Sequence, residues 1–281
     1  MTTVDTSQDI GKFADLPSGR VHYVESGSGH PVVLLHGSGP GATGSTNFSP
    51  NTDALAEHFR VIAPDMPGWG HSDTPSEAGY DHPNTLIELL DELGIDSAAL
   101  VGNSMGGVTS IATAINHPER VSHLITMGPP TVTGPLTFSP KGPSEGIRVL
   151  VQCYFDPTPE NLKRLVQVMC FDQSMATDEL AHTRSEAALS RPDHLDSFRN
   201  RYLEAFERVV GSLAGRASSI VAPTLLIHGR DDRVAPFESS LQLATQIANS
   251  RMLLINRCGH WAQIEHAAEF NRAVVDFITN N

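Results

Sequence analysis

The chain of 281 residues has only three cysteines, Cys153, Cys170 and Cys258, an odd number with no CxxC spacing. That pattern argues against a disulfide framework and against a zinc cluster. It predicts three small buried side chains in a reducing cytoplasm. Basic residues are also scarce: 19 lysines and arginines against 32 acidic residues leave a formal charge of -13. Nucleic acid and anionic membrane surfaces need a basic footprint and are disfavoured as partners. A local basic pocket can still sit in an acidic protein, so the balance says little about a small substrate. No apolar stretch approaches the roughly 20 residues that cross a bilayer. The opening MTTVDTSQDIG has neither a basic segment nor an apolar run, so no secretory signal is expected. What remains is ordinary globular composition, 40% hydrophobic and 18% charged, enough for one large domain or two small ones.

Short apolar runs rich in β-branched residues alternate with helix-like segments, the pattern of a mostly parallel sheet covered on both faces. Arg20–Glu25 alternates as an early strand. Pro31–Leu35, Arg60–Ala63, Ser97–Val101, Val121–Met127, Thr224–Ile227 and Met252–Ile255 read as further strands. Asn84–Leu93, Val108–Asn116, Ser239–Ala248 and Ala267–Ile278 read as helices between and after them. From Pro130 to Ser218 the rhythm stops: a Pro/Gly/Ser/Thr-rich stretch leads into helical patterns at Pro159–Met169 and His194–Leu213. The expectation is an α/β fold with core in 1–130 and 219–281 and a helical lid in 131–218; a separate helical domain is the alternative.

The strongest motif is Gly102-Asn103-Ser104-Met105-Gly106, directly after a strand and directly before a helix. GxSxG alone occurs widely. In this context it is the nucleophile elbow, in which glycines let a strained turn lift the serine above the carboxyl end of the sheet. The following amides then lie at a helix N-terminus, where a developing oxyanion is stabilised. A serine needs a base, and this fold supplies the acid and then the histidine later in the chain. Thr224–Ile227 runs into an acidic loop with Asp231 and Asp232, and Met252–Ile255 runs into Gly259-His260. His260 is assigned as base and Asp232 as its orienting acid. Neighbouring loop residues point in different directions, so Asp231 is expected to cap or to pair with an arginine.

Among the 13 histidines, His58, His117, His123 and His194 are expected to be solvated. His228 is expected to be buried, and His266 to cap or pack at the last helix. Past Pro31–Leu35, the loop His36-Gly37-Ser38-Gly39-Pro40-Gly41 is glycine-rich at a strand end. The N–H groups of Ser38 and Met105 are the expected oxyanion donors. A dinucleotide site is disfavoured there, because GxGxxG spacing is missing and a proline stands where the helix would begin.

Taken together, HGSGPGATG with Asn47-Phe48, DMPGWGHSD, LVGNSMGG, GRDDRVAP and CGHWAQIEHAAEFN resemble the meta-cleavage product hydrolases, α/β-hydrolases that cut a carbon–carbon bond in aromatic ring-fission products. The similarity runs through nearly the whole chain after Pro17. It includes PSEGI, FDQS and RPDHL of the lid. The resemblance implies 2-hydroxy-6-oxo-dienoate substrates, no cofactor or metal, and a homo-oligomer of two or more copies. It implies that Gly39, Asn47, Asn103, Arg184 and Trp261 hold the dienoate end, where arginine suits a carboxylate through its planar fork. Phe155, Met169, Phe171 and Val234 are expected to line the acyl side. Ser45 stands where many relatives carry a tryptophan, and the stretch Tyr80–Leu93 looks short. A carboxylesterase or thioesterase on the same triad is the competing reading, since fold alone does not choose chemistry. A catalytically dead receptor is disfavoured by the intact triad. Epoxide hydrolases and haloalkane dehalogenases carry an aspartate where Ser104 stands.

Overall fold

Runs of buried aliphatic and β-branched residues build one eight-stranded sheet: β1 (Lys12–Leu16), β2 (Gly19–Gly27), β3 (Pro31–Leu35), β4 (Arg60–Pro64), β5 (Ala98–Asn103), β6 (Val121–Met127), β7 (Thr224–Gly229) and β8 (Ser250–Ile255). The computed structural model describes residues 11–75, 80–130, 132, 136–139 and 142–281. The Pro/Gly/Ser/Thr-rich opening of the insertion and the first ten residues therefore lie partly or wholly outside the described residues.

The strand order is β1-β2-β4-β3-β5-β6-β7-β8. β2 is antiparallel to β1 and β4, and all later neighbours are parallel. Growth of the sheet reverses direction at β3, so the ends of β3 and β5 diverge into a crevice, the place where open α/β sheets bind ligands. Val33 and Leu35 of β3 face one core and Val32 and Leu34 the other. Every residue of β5 is buried, as expected for a strand covered on both faces.

The core helices are α1 (Gly44–Asn47), α2 (Thr52–Ala56), α3 (His82–Glu92) and α4 (Met105–Asn116). Between β6 and β7 lie α5 (Glu145–Phe155), α6 (Pro159–Met169), α7 (Asp178–Leu189), α8 (Pro192–Ser197) and α9 (Leu203–Leu213). After β7 come α10 (Glu238–Gln246), α11 (Ala262–Glu265) and α12 (Ala267–Asn280). The insertion is thus helical, as expected. Its helices start where the sequence supplies caps: the hydroxyls of Ser144, Thr158 and Thr177 accept from Ile147, Asn161 and Leu180 amides. The expected single helix at His194–Leu213 is α8 and α9 joined by a π-helical turn at Phe198–Tyr202. The wider turn brings Phe198 over Tyr202, with ring centroids 4.9 Å apart. β1 was not anticipated, and α7 was not either: its polar and apolar residues are not segregated into faces. Among the described residues, no helix is long and apolar enough to cross a membrane.

Candidate active site

The sharp turn after β5 places Ser104 at φ 52° and ψ -110°, a left-handed backbone that a non-glycine residue rarely adopts. Its amide is anchored to the Met127 carbonyl at 2.8 Å. The turn closes because its neighbours lack side chains. A Cβ on Gly102 would collide with the Gly106 carbonyl, and one on Gly106 with the Leu35 carbonyl. Met105 opens α4, so its N–H lies at the positive end of a 12-residue helix.

His260 and Asp232 come together from the loops after β8 and β7. His260 Nδ1 is 2.7 Å from Asp232 Oδ2, while the Asp232 Oδ1 accepts from the Val234 and Ala235 amides at 2.7 and 3.0 Å. Burial by itself would raise the Asp232 pKa. The imidazoles of His260 and His228 outweigh it, and the carboxyl ends well below the usual range. His228 is buried, as expected, with Nδ1 on Ser240 Oγ at 2.7 Å and Nε2 on the Ala235 carbonyl at 2.9 Å. Asp231 turns the other way, accepting from the Arg257 amide at 3.0 Å and lying 3.5 Å from Arg230. Gly128 was not anticipated. It has φ +51°, and a Cβ there would stand 2.7 Å from His260 Nδ1 and 3.1 Å from Asp232 Oδ2.

At the end of β3 the backbone carbonyls from His36 to Pro40 all have partners. The Met66 amide donates to His36 Nε2 at 2.8 Å, so Nδ1 carries the ring proton and donates to the Gly37 carbonyl at 2.8 Å. Burial keeps this imidazole neutral by lowering its pKa. Across a trans peptide the next N–H points opposite to the carbonyl, so His36 fixes the direction of the Ser38 N–H. The Ser38 carbonyl accepts from the Tyr154 hydroxyl at 2.6 Å, and the Gly39 carbonyl from Trp69 Nε1 at 3.1 Å. A Cβ on Gly37 would be 2.9 Å from Asn103 Oδ1.

Gly37, Ser38, Gly39, Asn47, Asn103, Ser104, Arg184, His260 and Trp261 all line one pocket, so every substrate-binding residue implied by the resemblance is brought to the serine. Its remaining free volume is only ≈ 20 Å³. Arg184 reaches in from α7. Its Nη2 contacts the Pro40 carbonyl at 3.4 Å, its guanidinium lies 5.2 Å from the Trp261 ring, and its buried Nε has no partner. No carboxylate among the described residues pairs with it, and burial lowers its pKa. Asn47 Oδ1 accepts from Gln263 Nε2 at 3.4 Å, which turns the Asn47 amide nitrogen the other way. Asn103 Nδ2 reaches the His260 carbonyl at 3.3 Å.

Two expectations are corrected. Of the residues expected at the acyl side, Met169 and Val234 line the pocket, together with Leu150, whereas Phe155 and Phe171 are 64% and 40% exposed. Both sit at or beyond helix ends, lying against Arg199 and Arg257 respectively. His194 is not solvated but buried against the Trp69 ring at 4.4 Å, and His123 is buried in β6 beside Phe277. His58 is exposed. Among the described residues the one group spaced to ligate a metal is His22, Asp65 and His71, outside this pocket. There the Asp65 carboxylate accepts from His22 Nδ1, His71 N and Gly44 N, which ties β2, β4 and α1 together.

Known proteins are similar to this chain over most of its length. The Alpha/beta hydrolase family matches residues 32–273. A 2-hydroxy-6-oxononadienedioate/2-hydroxy-6-oxononatrienedioate hydrolase of Burkholderia vietnamiensis is 46% identical over 278 residues, 97% of this chain and 96% of the relative. A serine-to-alanine mutant of the meta-cleavage product hydrolase from Pseudomonas fluorescens IP01 (CumD) superposes with a TM-score of 0.87 at 36% identity, covering 96% of this chain and 97% of that one. The 2-hydroxy-6-oxo-6-phenylhexa-2,4-dienoate hydrolase from Rhodococcus sp. strain RHA1 gives 0.80 at 27% identity, covering 96% and 98%. The chain belongs to the meta-cleavage product hydrolases of the α/β-hydrolase superfamily, serine-hydrolase-type enzymes that cleave a carbon–carbon bond in 2-hydroxy-6-oxo-hexadienoate-type ring-fission intermediates.

Proposed function

We propose that Ser104 is the nucleophile, His260 its base and Asp232 the group that orients and electrostatically supports the imidazole. Ser38 and Met105 N–H groups hold the oxyanion, and Gly39, Asn47, Asn103, Arg184 and Trp261 hold the dienoate end. The observation that carries this reading is the unpaired Arg184 guanidinium in the pocket of Ser104. A buried cation without a counter-ion is costly and calls for an anionic ligand. A simple ester has no use for it.

The dienol is first ketonised, which places a proton at C5. His260 takes the Ser104 proton as the oxygen adds to the C6 carbonyl, and the resulting oxyanion lies between the two amides. The C5–C6 bond then breaks, its electron pair passing along the conjugated chain to the C2 oxygen, which takes the proton back from the His260 imidazolium to give 2-hydroxypenta-2,4-dienoate and leaves the imidazole neutral. Water, deprotonated by His260, cleaves the acyl-serine and releases a carboxylic acid. The net change is the addition of one water.

The relatives at 42–46% identity carry names of dienedioate hydrolases, whereas the phenyl-dienoate hydrolase is at 27%. We therefore place a carboxyl-bearing alkyl arm, as in 2-hydroxy-6-oxononadienedioate, on the acyl side. The second, larger cavity of ≈ 490 Å³ shares Val234 with that wall and is lined by Arg148 and by Arg233, the latter 3.5 Å from Glu145 in the same lining, so Arg148 is the cation it offers to such an arm. The same reading makes residues 131–218 the lid and the enzyme a cytoplasmic homo-oligomer, in keeping with three free buried cysteines.

The test compares Arg184→Gln with the unmodified enzyme on a dienoate and on a p-nitrophenyl ester. Loss of kcat/KM by about 100-fold or more on the dienoate, with less than about 5-fold on the ester, is expected from removing a charge-assisted contact. Equal losses would favour the esterase reading. Running dienoates with methyl, isopropyl, phenyl and carboxyethyl arms fixes the acyl preference.

A further inference from the structure

We infer that Tyr154 is a positioning residue through which the helical insertion sets the direction of the Gly39 N–H, and hence the grip on the dienoate end. The inference rests on the assignment of Gly39 to substrate above. It starts from the four consecutive carbonyls of the loop after β3. Those of Gly37 and Gly39 are held by His36 and Trp69, side chains of the core. Those of Ser38 and Pro40 are held by Tyr154 and Arg184, side chains of the insertion. The order matters because the Gly37 and Ser38 carbonyls fix the N–H groups of Ser38 and Gly39 on the opposite side of their trans peptides, whereas Pro40, which follows Gly39, has no N–H. The core alone therefore aims the Ser38 N–H at an oxyanion. The Gly39 N–H is aimed only when Tyr154 is seated.

Tyr154 is well placed to be specific rather than merely packed. At 2.6 Å its bond to the Ser38 carbonyl is shorter than its contact with His194 Nε2 at 3.1 Å. A phenol has one proton, and the carbonyl can only accept, so that proton goes to Ser38 and His194 Nε2–H donates to the phenol oxygen. The opposite nitrogen, His194 Nδ1, has no partner, which suits the bare lone pair of this tautomer. The ring is held face to face with Phe198, centroids 3.4 Å apart and planes 2° from parallel. Phe198 opens the π-helical turn, and Trp69, whose N–H holds the Gly39 carbonyl, packs on His194 at 4.4 Å. The Gly39 peptide is thus clamped from both sides by one aromatic cluster. A Cβ on Gly39 would stand 2.9 Å from Arg184 Nη2, so the loop presents its backbone directly beside the guanidinium.

The experiment compares Tyr154→Phe with the unmodified enzyme on a ring-fission dienoate and on a p-nitrophenyl ester, with Arg184→Gln alongside and thermal unfolding as a check. The phenylalanine keeps the stack and removes only the hydroxyl. The expected result is a fall in kcat/KM of about 10- to 100-fold on the dienoate, since a misaimed binding group costs orientation. Less than about 3-fold is expected on the ester, which has no group for the Gly39 N–H. Unchanged dienoate turnover overturns the inference. So does an equal loss on both substrates, which would mean that the hydroxyl supports the fold or the oxyanion site as a whole. If Arg184→Gln also lacks the dienoate bias, the assignment of the dienoate end falls and this inference with it. If Arg184→Gln shows the bias and Tyr154→Phe does not, only Tyr154 is wrongly assigned. Should Tyr154→Phe fold poorly, His194→Leu removes the phenol's second anchor together with the ring that packs on Trp69, and the same bias in smaller measure is expected; its absence in a folded protein overturns the proposal.

Discussion

Replacing Gly128 by alanine should impair turnover far more than it impairs folding. The new methyl group would stand 2.7 Å from His260 Nδ1, 2.8 Å from Cε1 and 3.1 Å from Asp232 Oδ2. The imidazole must retreat by about 0.8 Å to reach an ordinary contact of about 3.5 Å. It cannot do so and keep the 2.7 Å bond to Asp232. Misplacement on this scale costs about 100-fold in rate. The residue also has φ +51°, so an alanine there adds roughly 1–2 kcal/mol of backbone strain, a few degrees of Tm. The assay follows the disappearance of the coloured dienolate at saturating substrate, with KM and Tm measured on the same preparation. A fall in kcat of about 100-fold with KM within about 3-fold is expected. A Gly128→Ala enzyme that keeps a third of the normal kcat would refute the claim that this position reserves space for the histidine.

Three other outcomes are expected. Ser104→Ala should abolish steady turnover while substrate still binds, seen as a persistent change in the dienolate spectrum; full activity would remove Ser104 from the mechanism. Val234→Ala should improve kcat/KM for bulky acyl arms relative to methyl, because Val234 stands between the closed pocket and the larger cavity; an unchanged ratio would place the acyl arm elsewhere. Stability should fall as pH drops from 6.5 toward 4, because burial lowers the pKa values of His36, His82 (to about 4) and His194 (to about 3). Below its ordinary 6.5 an unfolded histidine takes up a proton that the folded site rejects, so the unfolded state gains as pH falls. Lowered carboxyls such as Asp232 act only at and below about the ordinary 3.8, which leaves the window from pH 6.5 to 5 to the histidines. A Tm that stays flat across that window would contradict this.

The fold and the chemistry differ in how far they could be read from residues alone. The nucleophile turn was legible because strand, glycines and helix are contiguous in sequence. The loops carrying Asp232 and His260 were legible because each follows a short apolar strand. What escaped depends on contacts between distant elements. Nothing local marks Tyr154, His194 or Gly128, whose partners lie on other segments, such as Ser38 for Tyr154 and His260 for Gly128. His194 looks like a polar residue in a helix with charged neighbours, and only the Trp69 cluster shows it buried. α7 lacks a one-sided apolar pattern because its buried face carries only the small residues Ala181, Ser185 and Ala188 while Leu189 is exposed, so Arg184 could be placed through family resemblance but not through periodicity. Phe155 and Phe171 were misjudged because size and apolarity do not say which way a side chain at a helix end points.

The Ser104 pocket, at ≈ 20 Å³, has room for about one solvent molecule. A dienoate cannot enter without side chains such as Leu150, Met169 or Val234 giving way, so admission is a rearrangement of the pocket wall rather than simple diffusion into an open cleft. Capture should therefore slow with solvent viscosity less than with cooling. The same tightness, restored around the acyl-serine, leaves little space for competing nucleophiles such as small alcohols.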